Sequence, residues 1–205
     1  MKERYIISGI IILILIAGGA YFFQKHRAAQ VADQQAVSDS QADESDQFDE
    51  TAMDALTLQS SAFADQGNIP AKYTCDGASV TPPLAISGIP AEAKSLALIV
   101  HDPDAPAAGG FTHWVIWNID PASTNIPEGT IPEGAMQGRN GSGTVGFVGP
   151  CPPSGTHHYQ FMLYALDAKL DLPDTTTKTD LEKILPEHVL DQTLLVGQYQ
   201  RSPAK

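Results

Sequence analysis

The fold is decided by residues 96–106, which read LALIVHDPDAP. The first five residues are apolar, and a short apolar run of this kind predicts a buried strand. The next residues place two carboxylates, Asp102 and Asp104, in a loop whose backbone is restricted by two prolines. Such a loop indicates a site built at the end of a strand, although an Asp that caps local backbone amides would leave the same pattern.

Further short apolar runs, bounded by Gly, Pro, Asp and Asn, predict more strands after and before this one. We expect them at residues 114–119, 159–166 and 193–199, with a weaker candidate at residues 57–63. The spacing of these runs is irregular and their loops are rich in Pro and Gly. This organisation favours a mainly β, antiparallel architecture over a parallel α/β one.

One helix is predicted near the end of the chain. Thr179 and Glu182 form a capping-box pattern at its start. Its face at helical spacing comprises Leu181, Ile184, Leu185 and His188. Pro186 should kink or shorten the helix, which we expect to cover one end of the sheet.

Two further motifs place polar groups beside the predicted strands. His113 directly precedes the strand at residues 114–119, where a single histidine is more often structural than ligand-binding. Residues 146–159 read GFVGPCPPSGTHHY, and a loop so rich in Gly and Pro can turn its N–H groups inward to bind an anion. The alternative is a complicated connecting loop without a site.

The three motifs together, DPDAP, then His-Trp, then GPCPPSGTHHY, resemble the phosphatidylethanolamine-binding protein family and its bacterial Raf-kinase-inhibitor-like branch. Residues 69–77 (IPAKYTCDG), 81–84 (TPPL) and 197–201 (GQYQR) are also similar to that branch. The resemblance covers residues 57–205. It implies the family's fold, a central antiparallel β-sheet with a second, smaller sheet and peripheral helices.

The resemblance also implies a small surface cavity that accepts phosphate, phosphoethanolamine and similar anions. Carried over to this sequence, the ligand-binding residues would be Asp102, His113, Pro152, Pro153, His157 and Tyr159. Supporting positions would be Asp104, Trp114 and Cys151, with Asp104 organising the loops. The histidines and the tyrosine hydroxyl can donate to anion oxygens, and Asp102 would orient a histidine or bind an ammonium group. No catalytic residue, metal ion or cofactor is implied.

Two positions depart from the family pattern. His158 stands where many members have Arg, so we expect the two loops to be less rigidly coupled at neutral pH. His101 stands where bacterial relatives often have Asp. The resemblance places both cysteines near the pocket, and it implies a Cys75–Cys151 disulfide if the domain is exported. The residues alone would equally allow two buried thiols.

The leading function is therefore a non-enzymatic protein that binds small anions or phospholipid head groups, and that could modulate or inhibit a protein partner. The alternative is a metal-dependent hydrolase with ligands drawn from His101, Asp102, Asp104, His113, His157 and His158. No HExxH or comparable ligand spacing supports it. A serine or cysteine hydrolase is disfavoured, because Ser154 lacks a GxSxG elbow and two prolines follow Cys151.

Residues 1–27 are predicted to be a membrane anchor. Residues 5–23 are uncharged, and as a helix they would span about 28 Å of a bilayer core of roughly 30 Å. A cleaved signal peptide is the alternative, but bulky aromatic residues at 21–23 and then Lys25 and Arg27 directly follow the small residues 17–20, where cleavage would occur. We expect a single-pass membrane protein with its C-terminal domain outside the cytoplasm, or a secreted protein if the segment is cleaved.

The charge distribution separates the rest of the chain into a linker and a domain. Residues 28–56 hold eight acidic residues and no Lys or Arg, which predicts a disordered spacer. Residues 57–205, the predicted domain, have 8 basic and 15 acidic residues and thus a charge of −7. The whole chain has a net charge of −12 and no basic run, which argues against nucleic-acid binding.

Overall fold

The computed structural model describes residues 55–201. The predicted anchor, residues 1–27, and nearly all of the predicted linker, residues 28–56, lie outside this range. Within the described range no helix is long and apolar enough to cross a membrane. The strands are β1 (Thr57–Gln59), β2 (Gly67–Asn68), β3 (Leu84–Ser87), β4 (Ser95–Asp102), β5 (Phe111–Ile119), β6 (Asn125–Ile126), β7 (Met136–Gln137), β8 (His157–Leu166) and β9 (Val189–Tyr199). The helical elements are α1 (Lys178–Ile184) and the 3-10 turns Ala71–Tyr73 and Leu185–Glu187.

The strands form two sheets. The main sheet has six strands in the order β2-β9-β8-β4-β5-β7, and the smaller sheet has the order β1-β3-β6. Neighbouring strands are antiparallel except for β2 and β9, which run parallel. The predicted mainly β fold, with a second, smaller sheet and few helices, is confirmed for the described residues.

The main sheet is covered on both faces, which explains why every residue of β4 is buried. Leu98 and Val100 belong to the core that β4 shares with the smaller sheet. Ala97 and Ile99 point the other way and pack with Leu181 of α1. The helix therefore covers a face of the sheet, and the expectation that it covers one end is wrong.

The start of α1 also differs from the prediction. Thr177, with extended backbone, is the N-cap residue: its side chain accepts from the Asp180 N–H, and the Asp180 carboxylate accepts from the Thr177 N–H. Thr179 already lies inside the helix, so the predicted Thr179–Glu182 box is wrong by two residues. The chain tightens into a 3-10 turn at Leu185–Glu187, where Pro186 shortens the helix as predicted.

Candidate functional site

A cavity of about 360 Å³ opens where the loop after β4, the start of β5 and the loop before β8 meet. Its walls are mostly apolar and include Ala105, Pro106, Ala107, Phe111, Val148, Pro152 and Pro153. The polar residues that line it are the exposed Ser142 and three buried residues, Asp102, His113 and His157, which are only 3%, 4% and 6% exposed. We call these three buried residues the polar floor.

A β-bulge turns His113 into the cavity. Val100 pairs with Trp114, but the next residue of β4 pairs with Thr112, so His113 is an extra residue in β5. A bulge sets two residues opposite one and redirects a side chain. His113 consequently lies on the same face as Trp114, with its ring edge-on to Tyr159 at 5.1 Å between centroids. Strict alternation would have turned His113 to the opposite face.

The Asp102 carboxylate is held by three hydrogen bonds. Its Oδ1 accepts from the backbone N–H groups of Asp104 and Ala105, at 2.9 and 3.1 Å. Its Oδ2 lies 2.8 Å from Nδ1 of His157. Because an ionised carboxylate only accepts, Nδ1 of His157 carries the hydrogen. Of the two roles expected for Asp102, the structure shows the orientation of a histidine.

His113 is held in the same way by a backbone group. Its Nδ1 lies 2.7 Å from the Val148 carbonyl oxygen, which can only accept, so this nitrogen carries the hydrogen. Burial lowers the pKa of His113, and the Val148 carbonyl and the Asp102 charge oppose this shift only in part. Near pH 7 the ring is neutral, and its other nitrogen, Nε2, is an acceptor. The donation to an anion that we expect of His113 therefore requires an added proton.

Tyr159 lies behind the polar floor. Its side chain is fully buried and is not among the residues that line the cavity. Its hydroxyl is near the Asp102 carboxylate but makes no hydrogen bond of ordinary geometry, and burial, followed by the Asp102 charge, raises the pKa of Tyr159. Its ring packs against both histidines. Trp114 is equally buried and donates from Nε1 to Gln137 Oε1 at 2.7 Å.

A second Asp–His pair joins the same two loops outside the cavity. Asp104 Oδ2 accepts from the backbone N–H of His158 at 2.8 Å and lies 2.7 Å from Nδ1 of the same residue. These hydrogen bonds lower the pKa of Asp104. The two loops are thus linked through His158 without the Arg of many family members, because an imidazole N–H can donate to a carboxylate.

The loop before β8 is also anchored to the segment that contains Cys75 and Ser79. Cys75 and Cys151 form a disulfide bond, and the Cys75 N–H donates to the Pro150 carbonyl at 3.0 Å. The Gly149 N–H donates to Ser79 Oγ at 2.9 Å. A Cβ at Gly149 would lie 2.6 Å from that oxygen, so only glycine allows this close approach.

Comparison with known proteins identifies the relatives of this chain. The family model described as phosphatidylethanolamine-binding protein matches residues 59–200. This chain belongs to the phosphatidylethanolamine-binding protein family. The resemblance that its motifs carry is thereby confirmed.

Relatives of this family member occur in archaea and bacteria. A UPF0098 protein of Methanothermobacter thermautotrophicus is 52% identical over 151 residues, which cover 71% of this chain and 99% of the relative. A protein of Mycobacterium tuberculosis named as a candidate lipoprotein is 41% identical and matches 73% of this chain and 74% of its own length. A crystal structure of a candidate phosphatidylethanolamine-binding protein homologue from Chlamydia trachomatis superimposes with a TM-score of 0.70 at 40% identity, covering 72% of this chain and 99% of that one.

Seven residues that line the cavity were not among the predicted site residues: Ala105, Pro106, Ala107, Phe111, Ser142, Val148 and Gly149. Phe111 packs on the His113 ring at 4.9 Å between centroids. Gly141 passes so close to Phe111 that a Cβ would lie 2.7 Å from its ring. No sequence signal identifies these contacts, because they depend on how the loop that contains Ser142 folds back onto β5.

The side chains proposed as metal ligands do not form a metal site, although three of them make up the polar floor. His101 lies on the face toward α1, where burial and then the Lys178 charge lower its pKa. The two aspartates named in that proposal pair with His157 and His158 separately. Among residues 55–201 there is no group of three or more His, Cys, Asp or Glu placed to hold a metal ion.

Proposed function

We propose that this family member is a non-enzymatic protein that binds small anionic groups, such as the phosphoryl group of phosphoethanolamine. The observation that carries the proposal is the polar floor, whose two histidines are buried and held in fixed orientations. A protonated imidazole donates a strong, charge-assisted hydrogen bond to an oxyanion. The apolar walls are suited to the carbon atoms of a head group.

We further propose that the domain works outside the cytoplasm. Disulfides persist in oxidising compartments, and Cys75 and Cys151 are joined by one. The mycobacterial relative named as a candidate lipoprotein supports the same location. Attachment to a membrane through residues 1–27 and modulation of a protein partner remain predictions.

The head-group proposal is tested by calorimetry on the purified full-length chain with phosphoethanolamine and phosphate as ligands. We expect saturable binding that weakens at least about tenfold, or about 1.4 kcal/mol, in His113→Ala, because one anion donor is lost. The matched control is His188→Ala, since His188 lies away from the cavity and pairs with Asp167. Equal binding by His113→Ala and the parent, or no saturation at millimolar ligand, would refute the proposal.

A further inference from the structure

Both imidazole rings of the polar floor present a nitrogen without hydrogen to the cavity when they are neutral. His113 uses its Nδ1–H on the Val148 carbonyl, and His157 uses its Nδ1–H on Asp102. Both rings line the cavity. The described residues include three fully buried side-chain atoms without a hydrogen-bond partner, and the Nε2 atoms of His113 and His157 are not among them. The neutral floor therefore offers an anion two lone pairs and no imidazole N–H.

The charges around the cavity do not compensate for this arrangement. No Lys or Arg is among the residues that line it, and Asp102 adds a buried negative charge. A fully ionised oxyanion would therefore meet acceptors and a carboxylate on nearly fully buried residues, where repulsion between like charges is stronger than in bulk water. Binding without a change of protonation is unfavourable.

The titratable groups that face the two histidines come from three strands. β4 and its loop contribute Asp102 and Asp104, β8 contributes Tyr159, and β9 contributes Tyr199. Burial raises the pKa of Tyr159, so its phenol stays protonated at neutral pH. His101 lies on the other face of β4. Since Asp102 is engaged in three hydrogen bonds, the unprotonated Nε2 atoms are the sites open to an incoming proton.

We propose that this cavity binds an oxyanion only together with a proton, which is held between the anion and Nε2 of His113 or His157. The inference rests on the proposed function and specifies the protonation state of the complex. A ligand such as a phosphate monoester can bring the proton itself, whereas a fully ionised ligand must take it from solvent. Uptake of one proton per ligand changes the dissociation constant by about tenfold per pH unit.

Sulfate is the probe that isolates uptake by the protein, because it stays a dianion at every pH used. We would titrate the full-length chain with sulfate between pH 6 and pH 8, in pairs of buffers that differ in ionisation enthalpy. The expected result is saturable binding at pH 6, affinity that falls about tenfold per unit toward pH 8, and uptake of about one proton per sulfate. His188→Gln, the control outside the cavity, should behave as the parent does.

The variant Asp102→Asn tests the role of the tautomer. An amide can keep its oxygen on the two backbone N–H groups and turn its NH₂ toward His157 Nδ1, which must then accept. The ring hydrogen moves to Nε2, and the floor loses its negative charge. We expect Asp102→Asn to bind sulfate more tightly than the parent at pH 8, with a smaller change of affinity between pH 6 and pH 8.

Three results separate the proton inference from the proposed function. Sulfate affinity that is independent of pH, with no proton uptake, would overturn the inference while leaving anion binding intact. Failure of sulfate to bind at pH 6, while phosphate binds, would also overturn the inference, since a protonated floor should hold the dianion. Failure of sulfate, phosphate and phosphoethanolamine to bind at any pH would overturn the proposed function, and the proton inference with it.

Discussion

Two Asp–His pairs join the same two loops, and they differ mainly in burial. In the pair Asp102–His157 the nitrogen and oxygen are 2.8 Å apart and the side chains of aspartate and histidine are 4% and 8% exposed. In the pair Asp104–His158 the distance is 2.7 Å and the exposures are 42% and 46%. Distance therefore does not distinguish the pairs, whereas access to water does.

The comparison shows how one chemical motif acquires two roles. Water competes for each partner of an exposed pair, so the pair contributes little to stability and cannot select a ligand. In the buried pair, loss of one partner leaves the other unpaired with little access to solvent. Alternation along β8 turns His157 inward and His158 outward, so adjacent histidines have different environments.

The largest effect is expected when the buried pair is broken. Asp102→Ala removes the acceptor for two backbone N–H groups and for His157, all in a buried environment. We expect the free energy of unfolding to fall by about 4 kcal/mol, measured as a shift of the urea midpoint at constant m. Asp102→Asn keeps an oxygen for the backbone groups and should lose less. If Asp102→Ala lowers the free energy of unfolding by less than about 1 kcal/mol, the buried pair contributes no more to stability than an exposed pair does.

A smaller effect is expected for substitutions in the loop between β4 and β5. They test how tightly this loop packs against β4. Gly109 and Gly110 both have positive φ, +83° and +78°. An added Cβ meets nothing within 4 Å at Gly109, but at Gly110 it would overlap the Asp102 carbonyl oxygen and lie 2.8 Å from His101 Nε2. We expect Gly109→Ala to cost about 1 kcal/mol and Gly110→Ala about 3 kcal/mol in urea unfolding. Equal losses would show that the loop can move away from β4.

The smallest effect is expected at the exposed pair. Asp104→Ala should lower stability by about 0.5 kcal/mol at pH 7, and high salt should reduce the difference. Because His158 lowers the pKa of Asp104, this contribution is present above the ordinary carboxyl pKa and is lost as the pH falls through the lowered value. The urea midpoints of variant and parent should thus converge in acid. A persistent difference there would indicate a contribution other than the charge of Asp104.

Much of the fold was readable from the sequence because its signals are local. The apolar runs gave the long strands, although β8 and β9 begin earlier than predicted, at His157 and Val189. Backbone pairing with neighbouring strands extends these elements through residues that are not apolar. The helix start was misplaced because two Thr-containing patterns overlap, and the structure uses the earlier one, with Thr177 as the N-cap paired to Asp180.

The sequence alone determined the family, the mainly β class and the loops that carry the polar floor, because these depend on local backbone restriction and on apolar patterning. Tertiary structure decided which polar groups share one cavity. The bulge that redirects His113 exists only through pairing with β4, and the hydrogen bonds that set each imidazole tautomer come from Val148 and Asp102, which are distant in sequence. Burial then decided the difference between two similar Asp–His pairs, and burial depends on the whole fold.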